Sequence, residues 1–328
     1  MWQTFAAGAL FSGLDYCQTK FSDASSSGTS PGGCIVLLGY WRSGTTLLHN
    51  YLAHDKRFGY PSTYACMHPH HFIFTQAAAL AKRQSGIRRP MDDVQIVASS
   101  PQEDEFALLG LGARSPYEAL VTPRNLAPAL ALGDPRDLAP DEERRWEGSF
   151  NRFISGVSAV EGNRPLILKS PPHGYRVATL RRLLPDTRFI VIVRSPDTVF
   201  ESVVRMWHSL FRIYALSAIP SEDDTRRVIL ADRLRFETKL TDGLAGLPEN
   251  RVAHVHYESL VRNPIQSISG IYDQLALGSF KEVEQVLKTE VASTLQYSAR
   301  NALPSDFWRQ QVREHWRPIF ERYKYDLS

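Results

Sequence analysis

Apolar residues in this chain gather in short unbroken runs separated by longer stretches with helical spacing. Cys34–Leu38 is apolar without alternation, the mark of a strand covered on both faces. Pro165–Lys169 and Arg188–Val193 repeat the pattern, and Arg251–Tyr257 reads as a further strand. Between and after them the spacing predicts helices over His70–Lys82, Glu142–Val160, His173–Leu184, Asp197–Arg212, Asp223–Leu244 and Glu258–Val261. Pro101 followed by Glu103, Asp104 and Glu105 opens a further helix through Leu109, since proline and carboxylates suit a helix N-terminus. Strand and helix in alternation predict an α/β fold with a central parallel sheet flanked by helices. Residues 1–33 read as an N-terminal helix and a flexible Ser/Gly-rich linker, and residues 34–328 as one domain. Residues 112–140, rich in Pro, Gly and Ala, read as an irregular insertion or lid.

The turn after the first strand carries the chemistry. Gly39-Tyr40-Trp41-Arg42-Ser43-Gly44-Thr45-Thr46 joins a buried strand to a helix bearing Leu47, Leu48 and Leu52. Free N–H groups at a helix start, with the helix dipole behind them, attract anions. The frame is that of the phosphate loop, with Gly39, Gly44 and Thr46 in register, but Thr45 stands where the lysine for the β- and γ-phosphates belongs. Such a loop suits a 5′-phosphate better than the splitting of a nucleoside triphosphate. Arg42 is its cation.

Ligands of open parallel sheets bind beyond the carboxyl ends of the strands. Arg42, Lys169, Arg194 and Tyr257 all fall at or just past such ends. Three cations there predict a ligand with several anionic groups. Ser202, eight residues after Arg194 on the next helix, is placed to share one phosphate with it.

Composition narrows the picture without redirecting it. The 328 residues are 43% hydrophobic and 22% charged, ordinary for a globular protein. A net charge of +3 gives no argument for nucleic acid. Three cysteines form no disulfide framework and fit a reducing, cytoplasmic setting. No apolar run approaches the roughly 18 residues of a membrane span. Trp2–Leu14 is mildly apolar and lacks a basic start, so it predicts a helix packed on the protein body, with peripheral membrane contact as the second reading.

These motifs together resemble the sulfotransferases that use 3′-phosphoadenosine-5′-phosphosulfate (PAPS), over roughly Cys34–Tyr257. The chain is more similar to the bacterial, tyrosylprotein-sulfotransferase-like branch than to the phenol and steroid enzymes. The resemblance implies the fold of P-loop nucleotide hydrolases and transfer of a sulfuryl group to a hydroxyl or amine, with no metal. It implies that Arg42, Ser43, Gly44, Thr45 and Thr46 hold the phosphosulfate and that Arg194 and Ser202 hold the 3′-phosphate. It further implies that Tyr257 lies near the adenine, that Arg300 is a late contact to the 3′-phosphate, and that Lys169 in Leu168-Lys169-Ser170-Pro171-Pro172-His173 is catalytic.

The chain departs from that family at the base. Pro61-Ser62-Thr63-Tyr64 stands where the tyrosylprotein and heparan enzymes carry a glutamate, and Pro171 where the phenol and steroid enzymes carry a histidine. Glu103 and Glu105 are the first candidates, His70 and His71 the second, His173 the third. His68, His70 and His71 lack the spacing of a zinc helix. Trp207, Phe72, Phe74 and Phe211 are candidates for an acceptor pocket, against the ordinary alternative of core packing. The acceptor is an unidentified lipid, glycan, peptide or metabolite. Two rival readings are a kinase or nucleotide hydrolase with a degenerate loop, and a nucleotide-binding protein without catalysis.

Overall fold

A computed structural model describes residues 12–20, 33–82, 86–88, 95–294 and 303–327. Four strands form the central sheet: β1 Ile35–Leu38, β2 Ile167–Lys169, β3 Arg188–Val193 and β4 Val252–His256. Their order is β2-β1-β3-β4 and every pairing is parallel. Ile35 lies opposite Ile167 on one side and Arg188 on the other. A two-stranded antiparallel ribbon, Ile87–Arg88 with Gln95–Ile96, stands apart from it.

The unbroken apolar runs are explained by two cores, one per face. Val36, Leu38, Leu168, Phe189 and Val191 point into the larger, among Trp146, Phe150, Phe200, Trp207 and Phe236. Ile35, Leu37, Ile167, Ile190 and Ile192 point into the smaller, among Leu48, Leu52, Leu260, Ile268 and Tyr272. β1, β2 and β3 beyond Arg188 therefore bury both sets of alternate side chains, whereas the edge strand β4 alternates, with Ala253 and Val255 buried and His254 exposed.

The helices that frame the strand ends are α1 Thr45–Leu52, α2 Glu105–Gly110, α3 Pro140–Val160, α4 Pro196–Tyr214 and α5 Glu222–Leu244, followed by α6 Tyr257–Arg262. The expected helix over His70–Lys82 is shorter, Phe72–Leu80. The expected helix over His173–Leu184 is split into a 3-10 turn, Pro171–Tyr175, and a helix, Val177–Leu183.

Residues 112–140 differ from the irregular lid that composition suggests. They fold into 3-10 turns at Pro116–Leu120, Pro123–Asn125 and Pro135–Asp137 and a helix at Leu126–Ala131. Tyr117, Ala119, Leu126, Ala129 and Leu130 are buried in the larger core. Each turn starts on its proline, whose fixed φ and missing N–H suit the first helical position.

The expected N-terminal helix is described only over 12–20, and the linker falls outside the described residues save Gly33. Residues 12–20 pack on the body: Gln18 Nε2 donates to the Pro69 carbonyl at 2.6 Å, and its Oε1 accepts from Ile73 N at 3.0 Å. Among the described residues, no helix is long and apolar enough to cross a membrane.

Candidate functional site

The loop after β1 is wound for an anion. Arg42 has φ 66° and Gly44 φ 103°, so the backbone turns through the left-handed region twice, and Ser43 N closes the turn on the Tyr40 carbonyl at 3.1 Å. At Gly44 no other residue fits, because a Cβ there would stand 2.3 Å from the Tyr257 ring. Gly39 is needed for a similar reason: its Cβ would lie 2.5 Å from Ser43 Oγ. The Ser43 hydroxyl is buried and has no hydrogen-bond partner. A buried polar atom without a partner is costly, and an incoming phosphate oxygen would relieve that cost.

The second cation joins the first. Arg194 Nη1 donates to the Arg42 carbonyl at 3.1 Å, and its guanidinium lies 4.2 Å from the Tyr257 ring centre. Ser202 accepts from Arg42 Nε at 3.1 Å. Ser202, expected to share a phosphate with Arg194, is thus tied to the Arg42 side chain, while Arg194 is tied to the Arg42 backbone. The turn after β3 is held in turn by Glu258, which accepts from Ser195 N at 2.9 Å and from the Tyr325 hydroxyl at 2.8 Å. Arg42, Ser43, Thr45, Thr46, Arg194, Ser202 and Tyr257 thus gather where β1, β3 and β4 end. Arg300 lies outside the described residues.

Lys169 ends β2 and is 1% exposed. Its Nζ donates to Glu103 Oε1 at 2.9 Å. The other oxygen of Glu103 accepts from the Tyr117 hydroxyl, which in turn accepts from Trp41 Nε1 at 3.3 Å. Burial first, and then the nearby Glu103 charge, push the Tyr117 phenol well above the usual range, so it stays protonated and donates. Tyr117 carried no signal in the sequence: it sits inside the segment that composition marks as irregular, 14 residues from Glu103.

Glu105 does not join this cluster. It is 0% exposed, ion-paired with the equally buried Arg176, and accepts from the Ser115 hydroxyl at 2.6 Å. As a proton acceptor it is ruled out by that enclosure, and its work is structural. His173 is likewise enclosed, with Nε2 3.1 Å from Asp104 Oδ1, and is no base for an acceptor. The His173 and Arg176 charges outweigh burial and hold the Asp104 carboxyl down at about 2. His70 is displaced as well: it lies on the surface, 3.0 Å from Asp15 and 3.1 Å from the Gly110 carbonyl. His71 contacts Thr75 instead. Among the four aromatic candidates, Phe72, Trp207 and Phe211 are core residues, and Phe74 is exposed. Among the described residues no cluster of three or more metal-ligating side chains occurs.

A cationic cradle with a nearly buried lysine–carboxylate pair at a neighbouring strand end can neutralise anionic groups at one end and take a proton at the other. Comparisons with known proteins agree with the architecture. The chain is 31% identical over 293 residues to the omega-hydroxy-beta-dihydromenaquinone-9 sulfotransferases Stf3 of Mycobacterium bovis and Mycobacterium tuberculosis, which covers 89% of this chain and 75% of theirs. Its fold is similar to that of the sulfotransferase STF1 of Mycobacterium tuberculosis, with a TM-score of 0.66 at 17% identity, over 92% of this chain and 81% of that one. STF9 of Mycobacterium avium gives 0.65 at 18%, over 90% and 76%. The model of the Sulfotransferase family matches residues 34–282. The chain therefore belongs to the Sulfotransferase family, as its strand-end motifs suggest.

Proposed function

We propose that this protein transfers a sulfuryl group from PAPS to an acceptor hydroxyl. The observation that carries this reading is the 3.1 Å hydrogen bond from the Arg194 guanidinium to the backbone carbonyl of Arg42, which ties the cation after β3 to the anion-binding loop after β1, so that one ligand with two anionic groups can meet both. The Ser43 hydroxyl and the N–H groups and hydroxyls at Gly44, Thr45 and Thr46 would hold the phosphosulfate. Arg194 would hold the 3′-phosphate, with Tyr257 beneath it toward the adenine. Ser202 would act through Arg42.

The donor supplies an activated sulfuryl group on a phosphate leaving group. Transfer makes a bond from the acceptor oxygen to sulfur as the bond from sulfur to the bridging oxygen breaks; the electron pair leaves with the nucleotide phosphate. Lys169 is placed to neutralise charge that develops there. Glu103 takes the acceptor proton. The missing loop lysine at Thr45 speaks against a kinase or hydrolase.

An apolar alcohol is the acceptor class this reading favours. The Stf3 relatives are named for a hydroxylated dihydromenaquinone. Here Val121, Ile213, Tyr214 and Leu216 are exposed, and Leu216 N donates to the Val121 carbonyl at 2.9 Å. That patch sits two turns along α4 from Trp207, whose ring packs 6.3 Å from Tyr117.

Arg194→Ala tests the donor. Its affinity for adenosine 3′,5′-bisphosphate, measured by calorimetry, is expected to fall about 100-fold, and that for adenosine 5′-phosphate by less than about threefold, as charge-assisted bonds to one phosphate are worth about 1.5–3 kcal/mol. Equal losses for the two nucleotides would remove the 3′-phosphate assignment.

A further inference from the structure

We propose that Glu103 is a latch as well as a base: Lys169 closes it in the empty site, and the donor's 5′ end opens it by drawing Lys169 away. This rests on the donor reading above. Both carboxylate oxygens of Glu103 are engaged, Oε1 by Lys169 at 2.9 Å and Oε2 by Tyr117. A carboxylate held in this way offers its best acceptor positions to its two partners rather than to a hydroxyl. Tyr117 is fixed by its own burial and by Trp41, so it stays on Oε2 and keeps the carboxylate aimed. Lys169 is the partner with somewhere else to go, since the phosphosulfate brings fresh negative charge to the strand end it occupies.

The surroundings favour such an exchange. Asp104 and Glu105, beside Glu103 in the chain, are committed to His173 and Arg176 and offer Lys169 no second carboxylate. Cys66 and His49, which share the local field of Lys169, are held neutral: burial, and the charge of Asp104, push the Cys66 thiol well above its usual range, and burial with the charge of Lys169 drops the His49 imidazole to about 3. Lys169 is therefore ion-paired with Glu103 before the nucleotide arrives and meets a stronger anion after. Glu103 Oε1 becomes free only then, so that the acceptor hydroxyl meets a working base only after the donor is seated. Donor before acceptor is the order this imposes.

The latch sets Glu103 against the nucleotide for the same ammonium group, and removing the carboxylate charge must then tighten nucleotide binding. Glu103→Gln, which keeps the side chain's shape, is expected to bind adenosine 3′,5′-bisphosphate about tenfold more tightly by calorimetry, about 1.4 kcal/mol. The gain is expected to vanish when Lys169→Met is the background. It is also expected to be absent for adenosine 3′-phosphate, which does not reach Lys169, and this second measurement holds if Lys169→Met does not fold. Unchanged or weaker binding by Glu103→Gln overturns the latch and leaves the donor reading intact. A gain of equal size without Lys169 overturns it too, in favour of simple repulsion between Glu103 and the ligand. Failure of the unaltered protein to bind the bisphosphate removes the donor reading, and the latch with it.

Discussion

His49 shows how much one side chain's surroundings decide. It lies on α1 directly behind the loop, fully buried, and burial with the nearby Lys169 charge lowers its imidazole from 6.5 to about 3. The unfolded chain binds a proton at this position near pH 6.5 while the folded chain refuses one until about 3. The stability it allows is complete above pH 6.5 and is lost as the pH falls toward 3. Asp104 behaves in the same direction over a lower range, with its contribution present above about 3.8 and lost toward 2. Urea unfolding of the wild type is expected to weaken steadily between pH 6.5 and 4.5, and His49→Gln to flatten that slope. A slope unchanged in the variant would place the titrating group elsewhere. The loop residues Arg42, Gly44 and Thr46 were legible in the sequence because their spacing is local to one turn. The role of His49 was not, since nothing near it in the chain tells how deeply α1 is covered.

At the scale of elements, the turn after β2 and the start of α2 are bound together by charge. Glu105 pairs with Arg176, and Asp104 accepts from Ser170 Oγ at 2.8 Å and meets His173. Arg176 also lies 4.5 Å from the Trp146 ring on α3. These contacts set Glu103 at the N-terminal edge of α2 opposite Lys169 at the end of β2. Removing one member strands a buried charge, at a cost of about 3–5 kcal/mol, whereas replacing both by apolar groups need not cost anything. Arg176→Met is expected to lower the thermal midpoint sharply, and Glu105→Leu with Arg176→Met to recover most of the loss. A double variant as unstable as the single would show that the pair contributes beyond mutual compensation. Such pairs explain why Glu103 and Glu105 could not be separated in the sequence. Both stand in an acidic first turn, and only the partner brought from 71 residues away distinguishes the structural one. The prolines of 112–140 misled for a related reason: as punctuation they look the same whether they break structure or begin it.

For the whole molecule, the sheet's edges and faces divide the labour. Two cores hold the faces, the strand ends carry the cations, and the exposed patch of Val121, Ile213, Tyr214 and Leu216 lies at the far end of α4. If that patch receives an apolar acceptor, Leu216→Asp is expected to cut kcat/KM for a long-chain alcohol about tenfold, with adenosine 3′,5′-bisphosphate affinity and thermal midpoint unchanged. The estimate follows from the 1.5–3 kcal/mol of one buried leucine side chain. An equal rate with the long-chain alcohol would place acceptor recognition elsewhere. The global fold was readable because a parallel sheet buried on both faces writes itself as unbroken apolar runs, and the acceptor side was not, because scattered exposed apolar residues have no period.

The site draws on all four strands: β1 supplies the loop, β2 Lys169, β3 Arg194 and β4 the Tyr257 that stacks on it. The pieces are far apart in sequence, with Arg42 and Arg194 separated by 152 positions. On the donor reading proposed above, nucleotide capture waits for β1, β3 and β4 to pair, and a bound nucleotide reports that these three strands have docked.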